Sequence, residues 1–113
     1  MTDRITVVET PGYLDDAHDA KMTESDREAV VSEVSETPDG GDDLGGGVYK
    51  VRVARPGRGK SKGWRVLVGF VGKELPAYLL AVFGKGDRAN LTANELKELQ
   101  AVMKAIKATA KGK

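Results

Sequence analysis

A chain of 113 residues is long enough to bury one core unaided. With no cysteine and a single histidine, His18, it has no route to a disulfide framework or thiolate metal site and almost none to a transition-metal centre, and no apolar run approaches the roughly 18 to 20 residues that span a bilayer. The net charge of +1 conceals a division: residues 1–47 carry 13 acids against 3 bases and residues 48–113 carry 15 bases against 4 acids, the polarity of a chain with one polyanion-binding half.

Ile5-Thr6-Val7-Val8 is short and β-branched and predicts a first strand, closed by Thr10-Pro11-Gly12. Tyr13 to Ala20 suits a turn or two of helix, with Tyr13, Leu14 and Ala17 as a narrow apolar stripe among Asp15, Asp16 and Asp19. A second helix follows. Thr23 caps it, Asp26 stands where a capping-box acid reaches back, Ala29, Val30 and Val34 face inward, and Pro38-Asp39-Gly40-Gly41 stops it. Its acids Glu24, Asp26, Glu28 and Glu33 are expected to face solvent.

Gly45-Gly46-Gly47 leads out of a loop into Val48-Tyr49-Lys50-Val51-Arg52-Val53, where Tyr49, Val51 and Val53 alternate with Lys50 and Arg52. That is a strand with one apolar and one cationic face. Pro56-Gly57-Arg58-Gly59 cannot continue it, so a loop is expected to carry Arg58, Lys60 and Lys62 to a second strand beginning near Gly63. On that strand Trp64, Val66, Val68 and Phe70 share one face and Arg65 takes the other. Pairing the two strands with their apolar faces together gathers Lys50, Arg52 and Arg65 on one side and sends Tyr49 and Trp64 into the core, not onto nucleic-acid bases. Gly72-Lys73-Glu74 turns into Ala77 to Phe83, apolar on both faces and therefore central in a sheet, with Lys85 just beyond it. In the last helix Thr92 and Glu95 form a capping box, Leu96, Leu99, Val102, Met103 and Ile106 face inward, and Lys97, Lys104 and Lys107 stay wet; the tail 108–113 is expected to fray. The order β-α-α-β-β-β-α defines an α+β fold, read as a single domain over 1–113 and, for want of the apolar segment of a signal peptide in MTDRITVVETPGY, as cytoplasmic.

From Val48 to Arg65 the chain holds seven cations and no carboxylate, the footprint of a polyanion site. Neutralisation by the acidic half is the plainer alternative, and it requires an acidic segment folded directly over the cations. Gly57-x-Gly59-Lys60-Ser61 lacks the Walker spacing and leads into a strand, which argues against nucleotide hydrolysis.

The runs Leu44-Gly45-Gly46-Gly47-Val48-Tyr49-Lys50-Val51-Arg52, Ala54-Arg55-Pro56-Gly57-Arg58-Gly59-Lys60-Ser61 and Gly63-Trp64-Arg65, with Phe83-Gly84-Lys85 and Asn90-Leu91-Thr92, resemble the RelE/HigB toxin superfamily, most closely the branch with a GRGKSGGYR-like loop. The resemblance implies a RelE-like fold, a small, mainly antiparallel sheet flanked by helices. It implies a type II toxin that inhibits translation as a ribosome-dependent mRNA interferase, an endoribonuclease acting without metal or other cofactor. The implied partners are the ribosome, mRNA and a cognate antitoxin, often a helix-turn-helix protein through which operator DNA is bound; no membrane is involved. Catalysis in such a family drives the ribose 2′-hydroxyl onto phosphorus and expels the 5′-oxygen, which calls for a base, cations and an acid.

By match to the family's motifs, Lys50 and Arg52 are its paired strand cations, Arg65 its arginine after an aromatic residue, and Lys85, a further catalytic candidate, stands at the strand end where the family places another basic residue. Crowding by Arg52 and Arg65 disfavours an ammonium at Lys50, making it the candidate base, and the planar fork of Arg65 suits phosphate oxygens. Arg55, Arg58, Lys60, Lys62 and Arg88 are cast as binders of RNA or ribosomal phosphate. Gly86 stands where some relatives have arginine and a tyrosine near the last helix is missing, so the acid is either Lys85 or assisted by Arg88. Two other functions stay open: a noncatalytic RNA- or ribosome-binding module, and a co-repressor that only pairs with an antitoxin.

Overall fold

The alternation that begins at Val48 sets the centre of the architecture. The computed structural model describes residues 5–55, 59–84 and 91–111, with side chains for all of these but 55, 59–62 and 111. Its elements are β1 (Val7–Glu9), α1 (Pro11–Asp19), α2 (Glu24–Glu36), β2 (Asp42–Gly45), β3 (Val48–Arg55), β4 (Gly59–Gly69), β5 (Ala77–Phe83) and α3 (Ala93–Lys111). They form a five-stranded sheet in the order β1-β5-β4-β3-β2, antiparallel except for the β1–β5 pair.

Two cores follow from the period of two along the strands. On one face Tyr49, Val51, Val53, Trp64, Val66, Val68, Leu79 and Val82 pack under α1 and α2, which contribute Tyr13, Ala17, Val30 and Val34. On the other, Val48, Leu67, Ala81 and Phe83 meet Met103 of α3, with Leu96, Leu99 and Ile106 at the margin. β5 is buried along nearly its whole length, as expected for a strand apolar on both sides. Trp64 is 3% exposed, so the ring belongs to the core as its alternation with Arg65 required.

The helix starts follow the predicted chemistry. Thr23 Oγ1 accepts from the Asp26 amide while the Asp26 carboxylate accepts from the Thr23 amide, and Thr92 and Glu95 repeat the arrangement ahead of α3. Capping buries Asp26, which corrects the expectation that all the acids of α2 face solvent. Thr23→Ala is expected to cost about 1 kcal/mol, with Thr23→Asn restoring most of it in a urea melt. Pro11 opens α1 as its first residue, capped by Thr10, whose hydroxyl also donates to the Leu79 carbonyl and ties α1 to β5.

Four features differ from the sequence reading. β2 is an additional strand: Asp42-Asp43-Leu44-Gly45 is mostly exposed and has no apolar alternation to announce it. It is joined to β3 by Gly46 and Gly47 at φ 64° and 83°, the positive values that a two-residue type I′ hairpin needs. β4 starts at Gly59 and not near Gly63, so Lys60 and Lys62 are strand residues; the extra length is taken up by a register shift beside Val53. Val102 is 45% exposed and lies off the buried line of α3. α3 stays helical to Lys111, through much of the tail expected to fray.

Candidate phosphate-binding face

Register decides which side chains meet. In the β3–β4 pair Arg52 lies directly opposite Arg65, Val53 opposite Trp64, and Lys50 opposite Leu67; in the β4–β5 pair Arg65 lies opposite Phe83. Directly opposed residues project from the same face. Lys50, Arg52 and Arg65 therefore share the face that carries Leu67, Ala81 and Phe83, the side of the sheet on which α3 packs. Met103 anchors α3 beside Val48, at the hairpin end of β3, and the arginine rung lies four residues further along that strand. Arg52 is exposed and Arg65 half-buried, so neither is sealed beneath the helix.

Two arginines on one rung repel each other, and a strand pair gains nothing from holding them there. Among the described residues neither has a carboxylate partner. The acidic half of the chain does not cover them either: α1 and α2, with most of its acids, pack on the opposite face. What the rung offers is two planar guanidinium forks beside a buried aromatic floor, Phe83, a geometry suited to gripping the oxygens of a phosphodiester.

Lys50 stands two residue pairs nearer the β2–β3 hairpin, on the same face. Its side chain is 17% exposed, and its Nζ lies 4.0 Å from Asp42 Oδ2 on β2. Asp42 is the functional neighbour that sequence reasoning missed, because its position depends on a strand without an apolar pattern. The Gly46-Gly47 pair ahead of a strand signalled a two-residue hairpin, but a regular one would set Asp43 opposite Lys50; a register shift between Asp43 and Gly45 brings Asp42 there instead.

The remaining predicted residues are placed less fully. The backbones of Arg55, Lys60 and Lys62 run along β3 and β4 where the hairpin closes through the Arg55–Gly59 pair, while their side chains lie outside the described residues. Arg58, Lys85 and Arg88 also lie outside them.

Burial and the Asp43 and Asp39 carboxylates push the Tyr49 phenol up; burial, then Glu9, pushes Tyr13 up further. The Arg27 guanidinium is pushed up by its hydrogen bond to Glu9, part of a two-point clamp at 2.9 and 3.1 Å between α2 and β1. Among the described residues no group of three or more His, Cys, Asp or Glu side chains is placed to hold a metal ion, and no helix is long and apolar enough to cross a membrane. Compared with known protein families, residues 16–113 match the family model described as the RelE toxin of the RelE / RelB toxin-antitoxin system.

Proposed function

We propose that this chain, which belongs to the RelE toxin family of toxin-antitoxin systems, acts in the cytoplasm as an endoribonuclease on mRNA in the ribosome. The single observation that carries the reading is the Arg52–Arg65 rung, two like charges held side by side on the sheet face that also carries Lys50, with no carboxylate partner for either arginine among the described residues.

In the reaction the ribose 2′-oxygen attacks the adjacent phosphorus, the O2′–P bond forms, the P–O5′ bond breaks, and a 2′,3′-cyclic phosphate remains. The neutral amine of Lys50, freed of its own proton and of the Asp42 contact when substrate is bound, takes the 2′-hydroxyl proton. Arg65, with Arg52, binds the non-bridging oxygens as charge gathers on them, an electrostatic contribution that grows toward the transition state. Lys85 delivers a proton to the departing 5′-oxygen. All three functions come from side chains of this chain. Arg55, Arg58, Lys60, Lys62 and Arg88 supply phosphate contacts that position RNA or ribosome without choosing the bond.

A cognate antitoxin, of helix-turn-helix type and binding operator DNA in its own right, holds the activity in check. Expression of the wild-type chain without antitoxin is expected to arrest growth with cuts in ribosome-bound mRNA, and Lys50→Ala is expected to abolish both. Tight ribosome binding without cuts would establish the noncatalytic module instead. Absence of both toxicity and ribosome binding would leave the co-repressor.

A further inference from the structure

Among the acids of the first 47 residues, Asp42 is unusual in where the fold delivers it. Gly41, just before β2, lies so close to β3 that a Cβ there would stand 1.9 Å from the Lys50 carbonyl oxygen and 2.8 Å from Val51 Cα. A side chain at 41 would push β2 away; glycine lets it seat against Lys50, and the next residue then falls on the Lys50 rung. Asp43, one step on, pairs with Tyr49 and belongs to the other face. In the sheet, Lys50 has Asp42 opposite it on β2, Leu67 opposite it on β4, and Arg52 two residues along its own strand.

The Asp42–Lys50 contact differs in kind from the ion pair that clamps α2 to β1. Arg27 holds Glu9 at 2.9 Å through two parallel hydrogen bonds, whereas Asp42 reaches Lys50 at 4.0 Å with its own side chain 73% exposed. A carboxylate so wet and so loosely held leaves its partner at little cost. It occupies a position beside Nζ that a phosphate oxygen would also seek.

We propose that Asp42 is a built-in competitor for RNA phosphate at Lys50: in the RNA-free protein its carboxylate takes the place beside Nζ that the phosphodiester takes on binding. The proposal rests on the reading of this face as an RNA site. It gives the edge strand a role in discrimination. A stray phosphate touching Lys50 alone must displace Asp42, while a phosphodiester engaged by Arg52 and Arg65 at the same time has the attraction to do so.

The test uses a single-stranded RNA oligonucleotide with 2′-O-methyl riboses, which binds without being cut, and fluorescence anisotropy on the full chain. Asp42→Asn is expected to lower Kd by about twofold to fivefold, the scale of one exposed ion pair. Asp43→Asn is expected to change it less than Asp42→Asn does, and Asp42→Glu to keep the wild-type value. In a Lys50→Met background Asp42→Asn should have no further effect. An unchanged or weaker affinity in Asp42→Asn overturns the proposal. So does an equal gain in Asp43→Asn or in the Lys50→Met background, which would mark general charge and not competition at one amine. Cleavage of ribosome-bound mRNA is measured separately. Intact binding coupled to Lys50 and Asp42, without any cutting, would sink the nuclease reading and leave the competition standing; absence of RNA binding in every variant would overturn the competition, while the nuclease reading is decided by the ribosome assay.

Discussion

Arg65→Ala is expected to slow cleavage of ribosome-bound mRNA by about 10² to 10³ in single-turnover rate, the loss seen when one preorganised donor to a developing oxyanion is removed. The size follows from where Arg65 sits. Half-buried beside Phe83 and opposite Arg52, it is set by the strand register on the face where, on the proposed reading, charge builds on phosphorus. Arg65→Lys keeps the charge but loses the paired donors and is expected to recover only part of the rate. The fold should not suffer: removing one of two opposed like charges is expected to leave Tm unchanged or raise it. On the proposed reading Arg52 and Arg65 serve one phosphate, so the double alanine variant is expected to lose less than the product of the single losses. A fall of under tenfold in Arg65→Ala, with Tm preserved, would remove Arg65 from the reaction.

Trp64→Ala carries the largest expected effect on stability, a loss of about 3–5 kcal/mol read from urea denaturation. The indole is 3% exposed and packs with Val53, Val66 and the side chains of α1 and α2. Since a domain of this kind is stable by only about 5–15 kcal/mol, the variant should be partly unfolded near body temperature, while Trp64→Phe should retain most of the core. The same variant separates two roles for the aromatic residue. If Trp64→Ala folded normally and lost RNA affinity instead, the ring would be a base-stacking platform and the assignment of faces along β4 would be wrong.

What the amino-acid order revealed, and what it hid, divides along burial. β3, β5 and the apolar half of β4 were legible because each has a buried face, and burial writes a period of two into the residues: Tyr49, Val51 and Val53, then Trp64, Val66 and Val68. That same period puts Lys50, Arg52 and Arg65 on one face. The starts of α2 and α3 were legible because capping has its own local chemistry. β2 and the first residues of β4 were not: Asp42-Asp43 and Gly59-Lys60-Ser61-Lys62 contain no apolar residue, and their pairing is set by the neighbouring strand alone. Val102 was misread because the apolar residues of α3 span a wider arc than the sheet can cover; Leu96, Leu99, Met103 and Ile106 form the line of contact and Val102 falls beside it. Of the candidate site, the strand cations were readable and Asp42 was not, since a loosely held carboxylate on an edge leaves no hydrophobic trace.

The edge itself has a consequence for how copies of the molecule behave toward each other. β2 ends the sheet, and an outermost strand offers its main chain to any other extended segment. Here two neighbouring aspartates occupy it, and the Gln100 amide of α3 donates to the carbonyls of Leu44 and Gly45 at 3.2 Å each. Two copies aligned side by side would bring four negative charges together over a boundary where the Leu44 and Gly45 carbonyls are already engaged. Stacking into fibres is thereby discouraged at the flank next to the basic hairpin.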